Sequence, residues 1–415
     1  MPHGQSETEA PAIAHLGVGA FHRAHQAWYT DRAAEVGEPW RIVAFTGRSA
    51  TQARLLEARG GRYTLVTRGA EGDGFSEVRS IRAVHDGAER ALWEQALAAP
   101  ETHIVTLTVT EAGYLPGGTA STRLAGGLAA RRASGAGALT VISCDNLGSN
   151  GDVARDAVFD AAMRIDHTLA DWIDEHVVFL SSMVDRITPR TTDADIDEVE
   201  RATGIRDEGT VVTEPFSEWV IEDGFAGPRP AWERVGVRFT RDLAPYEQRK
   251  LRLLNGAHSL LAYHGLLRGI DDVASAFGDP ALRDLLEEYW TVAAKSCVLP
   301  RGEVEDAIAT TRVRFANPRI RHLLAQIATD GAHKLPVRIV PVIDHALRSG
   351  ADAAAPASVI AAWAIAGGHS PAEIDTLLDG AGGTAAAMRA AIGRELRRLE
   401  EDPVAAATRV EPVRS

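Results

Sequence analysis

Residues 13–31 read IAHLGVGAFHRAHQAWYTD: an apolar run, a G-x-G and then a stretch of helical length. Ile13–Gly17 is short and apolar, as a parallel strand covered on both faces is. Gly17 and Gly19 follow it directly and open the helical pattern Ala20–Glu35. Without side chains they permit a tight turn and a close approach of backbone to a pyrophosphate seated at a helix N-terminus. His22 stands where the usual fingerprint has its third glycine. The glycines alone therefore fit either a dinucleotide site or a plain tight turn, and the strand–turn–helix setting favours the site. Arg23 is placed either to reach phosphate or to lie on the solvated helix surface.

Outward from this turn, the apolar runs Arg41–Thr46, Thr102–Val109 and Leu139–Ser143 alternate with helix-length stretches such as Asp86–Ala98. Strand, helix, strand in alternation predicts an α/β, Rossmann-like doubly wound domain over residues 1–243. Val177–Thr188, Val211–Glu214 and Val235–Phe239 read as further strands. The second strand ends in AFTGRS, residues 44–49, with no acidic residue to select NAD through the ribose hydroxyls. Arg48 and Ser49 suit a 2′-phosphate, or Arg48 stacks on adenine, so the residues themselves leave NAD and NADP open.

From residue 244 the texture becomes helical. Helix-length stretches follow at Tyr246–Leu266, Pro280–Ala294, Pro318–Thr329, Pro336–Arg348, Ala357–Ala366, Ser370–Leu378 and Thr384–Leu399. Prolines sit at several starts, where a missing N–H is harmless, and Ser370 with Glu373 has capping-box spacing. These features predict a mostly α-helical second domain over residues 244–415, a loose tail from about Glu401, and an active site in the cleft between the domains.

Composition sets the class. The 415 residues are 45% apolar and 24% charged, an ordinary globular balance. A formal net charge of −13 disfavours general nucleic-acid binding, and no apolar run is long enough for a membrane helix. Two cysteines, Cys144 and Cys297, are too few for a disulfide framework. With a polar, acidic start that lacks signal-peptide features, the expectation is a soluble cytoplasmic enzyme.

The chemistry is concentrated in PYEQRKLRLLNGAHSLLAYHG, residues 245–265. On an α-helix Glu247, Lys250 and His258 share an arc of roughly 80°, with Asn255 about 140° round from Lys250. A lysine beside apolar surface has a lowered pKa and can act as a base near neutrality. Oxidation of a secondary alcohol needs such a base, together with donors where alkoxide charge develops. Lys250 suits the base and Asn255 a donor. His258 suits a neighbouring hydroxyl, and Glu247 suits passing the proton to water.

The blocks HLGVGAFHRAHQA (15–27), VTLTVTEAGY (105–114), SCDNLGSNG (143–151), MVDRITP (183–189), VVTEPFSEWVIED (211–223), PYEQRKLRLLNGAHS (245–259) and FANPRI…DGAHKLP (315–336) give the chain a wider resemblance. It resembles the long-chain mannitol dehydrogenase family of polyol and hexonate oxidoreductases. The resemblance implies hydride transfer at C2 of an open-chain, mannitol-like polyol or a sugar acid, with NAD as cofactor and NADP as the alternative. It implies Lys250 as general base, Asn146 and Asn255 as amides on the substrate oxygen, His258 on a substrate hydroxyl and Glu247 as proton relay. Asp185 and Lys334 match substrate positions. Gly17, Gly19, Phe21 and Arg23 match the cofactor turn, with Thr110 and Glu111 beside it. No metal is implied, and His22 and His25 belong to the cofactor motif rather than to a zinc site. A monomer is implied. Ala112 and Gln326 depart from residues common in the family, where lysine and arginine occur; the loss of charge at Gln326 bears on the choice between polyol and acid. The reading from another class is a dinucleotide-binding sensor without turnover, which the retained Lys250, Asn146, Asn255 and His258 oppose.

Overall fold

The computed structural model describes residues 10–47 and 49–401. Arg48, assigned to the cofactor from sequence, and the tail expected after Glu401 lie outside the described residues. The chain divides between Ala244 and Pro245 into two compact units.

In the first unit the strands are, in chain order, β1 (Ala12–Leu16), β2 (Arg41–Phe45), β3 (Tyr63–Arg68), β4 (Asp73–Val78), β5 (Ile81–His85) and β6 (Thr102–Leu107). They continue with β7 (Leu139–Ser143), β8 (Val177–Leu180), β9 (Ser182–Asp185), β10 (Val211–Thr213), β11 (Glu218–Glu222) and β12 (Arg238–Thr240). The main sheet runs β5-β2-β1-β6-β7-β8, all parallel. Counting its own strands alone, that is the order 3-2-1-4-5-6 of a Rossmann domain, which places the ligand crevice beyond the ends of β1 and β6. Alternate side chains feed two cores. Ile13, Ile42, Ile104 and Ile142 pack on one face, and Ala14, Leu16, Val105, Leu107 and Val141 on the other. Two three-stranded sheets, β10-β3-β4 and β12-β11-β9, complete the unit.

Two sequence expectations change here, and one hairpin had none. The helix Ala20–Glu35 is broken into Ala20–Ala24 and Gln26–Ala34 at His25, with φ −123° and ψ −87°. The Arg186 guanidinium takes the Ala24 carbonyl, and a His25 ring nitrogen meets the Glu218 carbonyl at 3.0 Å, so the helical ladder is interrupted. The run Val177–Thr188 becomes two strands in different sheets, switching at Ser181, whose N–H donates to the Glu222 carboxylate at 2.7 Å. The hairpin β3–β4 was not anticipated, because the half-exposed β4 is rich in polar residues and glycine.

The second unit is helical. Gly256–Leu266 and Ala354–Gly367 are apolar nearly all round and form its buried centre. Around them lie Pro280–Ser296, Arg301–Phe315, Gly331–Arg338, Val340–Ser349 and Ala385–Glu401 among others. The capping box at Ser370 and Glu373 forms. Arg301–Phe315 had no expectation. Pro318–Thr329 contracts to Leu324–Ala328, because the preceding residues pair in extended form with Asp271 and Asp272, through Leu324 N–H to Asp271 O and Val273 N–H to His322 O. Among the described residues no helix is long and apolar enough to cross a membrane.

Candidate active site

The turn after β1 is held by threonines of the neighbouring strand end. Gly17 has φ +106°, and a Cβ there would overlap the Thr108 carbonyl, so only glycine fits. The Thr108 hydroxyl donates to Gly17 O at 2.8 Å. With its one proton used, it must accept from His15 Nε2 at 3.2 Å, which leaves His15 Nδ1 to accept from Thr106 Oγ1 at 2.8 Å. His22 stacks on His15 with ring centroids 3.4 Å apart, so the residue in the third glycine's place packs the turn onto β1. Phe21 stacks on His25 at 5.1 Å. Arg23 is buried, and its guanidinium donates to Gly19 O and Gly209 O. It braces the turn through Gly19 O, which corrects the alternative of a solvated surface residue; the reach to phosphate expected of it is not among these bonds.

Thr110, at the end of β6, is one of three non-glycine residues with positive φ among those described; the others are Ser149 and Asp330. All three fall within the sequence blocks quoted above. A β-branched residue at φ 66° is strained and needs its surroundings to hold it. Asp145 does so. Its carboxylate accepts from Thr110 N–H at 2.8 Å, from Val109 N–H at 3.2 Å and from the Tyr114 hydroxyl at 2.6 Å. Burial raises the Asp145 pKa, opposed by these bonds. The sequence reading missed Asp145, although it stands directly before Asn146. Asn146 itself is exposed in the turn after β7. The block's second amide, Asn150, is buried and clamps Asp145 O and Ser182 O at 2.7 and 2.8 Å. Glu111 is exposed in the turn after Thr110, and Asp185 ends β9 opposite Glu218.

A carboxylate near the end of β2 comes from the neighbouring strand of the sheet. Asp86, directly after β5, accepts from Thr46 Oγ1 at 3.3 Å, and Arg123 donates to the Thr46 and Gly47 carbonyls at 3.4 and 3.0 Å. Sequence order hid it, because β3 and β4 intervene between the two neighbours.

In the second unit the lysine helix is not uniformly α-helical. Lys250–Asn255 is a π-helix between Ala244–Arg249 and Gly256–Leu266, and Gly256 N–H donates to Leu251 O, five residues back. The α-helical arc is thereby corrected. A turn that closes i→i+5 brings residues five apart, here Lys250 and Asn255, towards one line. The widened turn is satisfied by the helix Pro280–Ser296: the Tyr289 hydroxyl donates to Arg252 O at 2.7 Å and Trp290 Nε1 to Leu253 O at 2.8 Å. A Cβ on Gly256 would overlap the Tyr289 hydroxyl. Glu247 and Lys250 are partly buried.

His258 lies one α turn beyond Asn255. Burial pushes its pKa well down, with nearby His322, Arg314 and Arg338 adding to the effect, so the ring is neutral. It packs on Phe315 and His322 at 4.6 and 5.0 Å, and its Nε2 is buried with no hydrogen-bond partner among the described residues. Lys334 sits in the helix Gly331–Arg338, its amine donating to Thr329 O at 2.6 Å. Burial and Arg338 lower its pKa. Among the described residues no cluster of His, Cys, Asp and Glu is arranged for a metal ion.

One chain that carries a turn for a dinucleotide on a Rossmann sheet and, in a separate helical unit, a lysine, an amide and a neutral histidine defines a nucleotide-linked oxidoreductase. Residues 11–234 match the mannitol dehydrogenase Rossmann domain and residues 242–366 the mannitol dehydrogenase C-terminal domain. The chain belongs to the mannitol dehydrogenase family. D-mannonate oxidoreductase of Escherichia coli K12 is 38% identical over 388 residues, covering 85% of this chain and 79% of that protein. D-arabinitol 4-dehydrogenase of Ralstonia nicotianae is 38% identical over 386 residues, covering 85% and 82%. Among solved structures, the Pseudomonas fluorescens mannitol 2-dehydrogenase ternary complex with NAD and D-mannitol superposes with a TM-score of 0.80 at 32% identity, over 96% of this chain and 94% of that one.

Proposed function

We propose that this chain catalyses reversible hydride transfer between NAD and C2 of an open-chain polyhydroxy substrate of the mannitol type, interconverting it with its 2-keto form. The observation that carries the reading is the π-helical turn that begins at Lys250 and ends at Asn255, followed one turn later by the neutral His258. NAD, when bound, supplies the hydride acceptor. The turn fits it: a Cβ on Gly19 would meet nothing nearer than Gly17 O at 3.6 Å, which leaves room for a pyrophosphate against the backbone. Gly17, Gly19 and Phe21 hold the cofactor, with Thr110 and Glu111 beside it. Asp86 favours NAD, because a carboxylate near the end of β2 would repel a 2′-phosphate.

Lys250 accepts the hydroxyl proton, and Glu247 passes it to water. Asn255 and Asn146 donate their amides to the oxygen as its charge develops. His258, held neutral by burial, hydrogen-bonds a neighbouring hydroxyl, and Asp185 and Lys334 belong to the substrate set. This assigns nucleotide binding to residues 1–243, which also lend Asn146 and Asp185 to the substrate, and the remaining substrate chemistry to 244–415, in a soluble cytoplasmic monomer. Nicotinamide reduction with a panel of open-chain polyols and sugar acids, run with NAD and with NADP, tests the reading. Lys250→Ala should lower alcohol oxidation by about a hundredfold or more with NAD affinity unchanged, a typical general-base contribution. Near-normal turnover with the same pH profile in that variant would remove Lys250 from the mechanism.

A further inference from the structure

Arg23, Arg131 and Arg186 are buried, and each fills its guanidinium with backbone oxygens. Arg131 alone reaches the carbonyls of Gly137, Leu97, Ala99, Ala136 and Ala138. Arg23 holds Gly19 O and Gly209 O, and Arg186 holds Ala24 O and Glu214 O. Arg338 breaks this pattern. Its guanidinium is partly buried at the end of the helix Gly331–Arg338, and its one hydrogen bond among the described residues is from Nη1 to Ser259 Oγ at 3.3 Å. Its Nε is buried with no acceptor. The groups that couple to its charge are Tyr263 and Tyr289, and no carboxylate is among them. Lys334, one turn earlier, is already engaged with Thr329 O and lies 3.9 Å from the Asp330 carboxylate.

A charge taken out of water without a counter-charge or a full set of hydrogen bonds costs several kcal/mol, so a guanidinium left with an open N–H favours the arrival of an acceptor. The planar fork of arginine matches the two oxygens of a carboxylate. Ser259 follows His258 directly, and its hydroxyl donates to Asn255 O at 3.1 Å, so the unfilled guanidinium lies against the lysine helix itself. We propose that Arg338 anchors a carboxylate of the substrate, which makes that substrate an open-chain sugar acid rather than a neutral polyol. The proposal rests on the hydride-transfer reading above and names the substrate class for it. Ser259 stands nine residues beyond Lys250. At up to about 1.5 Å of rise per residue the two are roughly 13 Å apart along the axis. The carboxylate therefore belongs at the end of the carbon chain remote from the carbon that loses hydride, which is C2 counted from the opposite, hydroxymethyl end, and it keeps all its bonds during the reaction. The adjacent His258 is neutral, so one uncompensated positive charge faces the ligand, which suits a monoanion.

The test compares an open-chain hexitol, the hexonate of matching stereochemistry and the corresponding hexitol phosphate as substrates with NAD, in the wild type, Arg338→Met and Arg338→Lys. The wild type should prefer the hexonate. In Arg338→Met the hexonate-to-hexitol ratio of kcat/KM should fall about a hundredfold, mostly through KM, with partial recovery in Arg338→Lys. An unchanged ratio, or preference of the wild type for the hexitol or its phosphate, overturns the proposal. A second reading needs no turnover. The hexonate should raise the melting temperature of the wild type and not of Arg338→Met, and the variant without ligand should be no less stable than the wild type, because it sheds an unpaired charge. Hexitol turnover without any hexonate-induced shift would remove the anchor and leave the hydride reading standing. A shift that depends on Arg338, with no nicotinamide reduction from any substrate, would keep the anchor and remove the hydride reading.

Discussion

At Gly19 the protein itself leaves room for a side chain, whereas at Gly17 it does not. The Gly17 backbone lies at φ +106° against the Thr108 carbonyl, but a Cβ on Gly19 has its nearest neighbour at 3.6 Å. Any requirement for glycine at 19 therefore comes from a ligand. Gly19→Ala is expected to fold with an unchanged melting temperature and to raise the KM for NAD tenfold or more, since a methyl group there would meet the pyrophosphate. A variant that lost stability and kept its NAD KM would reverse the assignment. The same contrast shows what could be read residue by residue. The tight turn at Gly17 and the half-buried place of Lys250 were legible because backbone turns and a lysine inside an apolar pattern leave marks in local sequence. Asp86 and Asp145 were not. Asp86 matters because β5 lies beside β2, and Asp145 because its carboxylate reaches the backbone of Val109 and Thr110 from the neighbouring strand end.

Among the elements, the π-helical turn is the one that local pattern misrepresented most. Leucines at helical spacing predict a continuous helix, and nothing between Lys250 and Asn255 announces a turn closed over five residues. Its cause lies in another helix: the Tyr289 hydroxyl and the Trp290 indole supply donors to Arg252 O and Leu253 O. Gly256 gives that hydroxyl its space. Tyr289→Phe removes one donor and leaves a buried carbonyl unsatisfied, at a cost of about 1–3 kcal/mol. If the turn aligns Lys250 with Asn255, kcat should fall about tenfold while the KM for NAD holds, and the pH dependence of kcat should shift with the lysine's surroundings. Loss of stability with kcat and its pH profile intact would make the turn a packing feature only. Domain-scale architecture was easier to foresee, since alternating strands and helices give way near residue 243 to helices alone. The helix Arg301–Phe315 escaped because its buried Val304, Ile308, Thr311 and Phe315 are interleaved with charged residues.

For the molecule as a whole, buried neutral histidines set how stability responds to acid. Burial pushes His15 down to about 3 and His264 to about 4, and it holds His22 and His258 well below the usual value. In the unfolded chain each binds a proton near 6.5. Above that pH neither state is protonated and the histidines do not affect stability. As pH falls below about 6.5 the unfolded chain takes up protons that the folded one refuses, so stability drops. Each such histidine contributes about 1.4 kcal/mol per pH unit until its own folded pKa is reached. Asp31 and Asp145 act in the opposite sense, because burial raises their pKa and the folded state takes their protons first. Their offset begins at their raised folded pKa and is complete below the ordinary carboxylate value, so it partly opposes the histidines within the same acid range. Both units should soften, since His15 and His22 lie in the first and His258 and His264 in the second. Melting followed from pH 7.5 to 5.0 at constant ionic strength should show a midpoint that holds down to about pH 6.5 and falls below it. His264, which hydrogen-bonds Ser358 Oγ at 3.0 Å, offers the internal control: His264→Gln keeps a polar partner for Ser358 but cannot titrate, so its midpoint should fall less steeply over the same range. Equal slopes in wild type and variant would mean that His264 takes up a proton in the folded state well above 4, and that the acid sensitivity arises elsewhere.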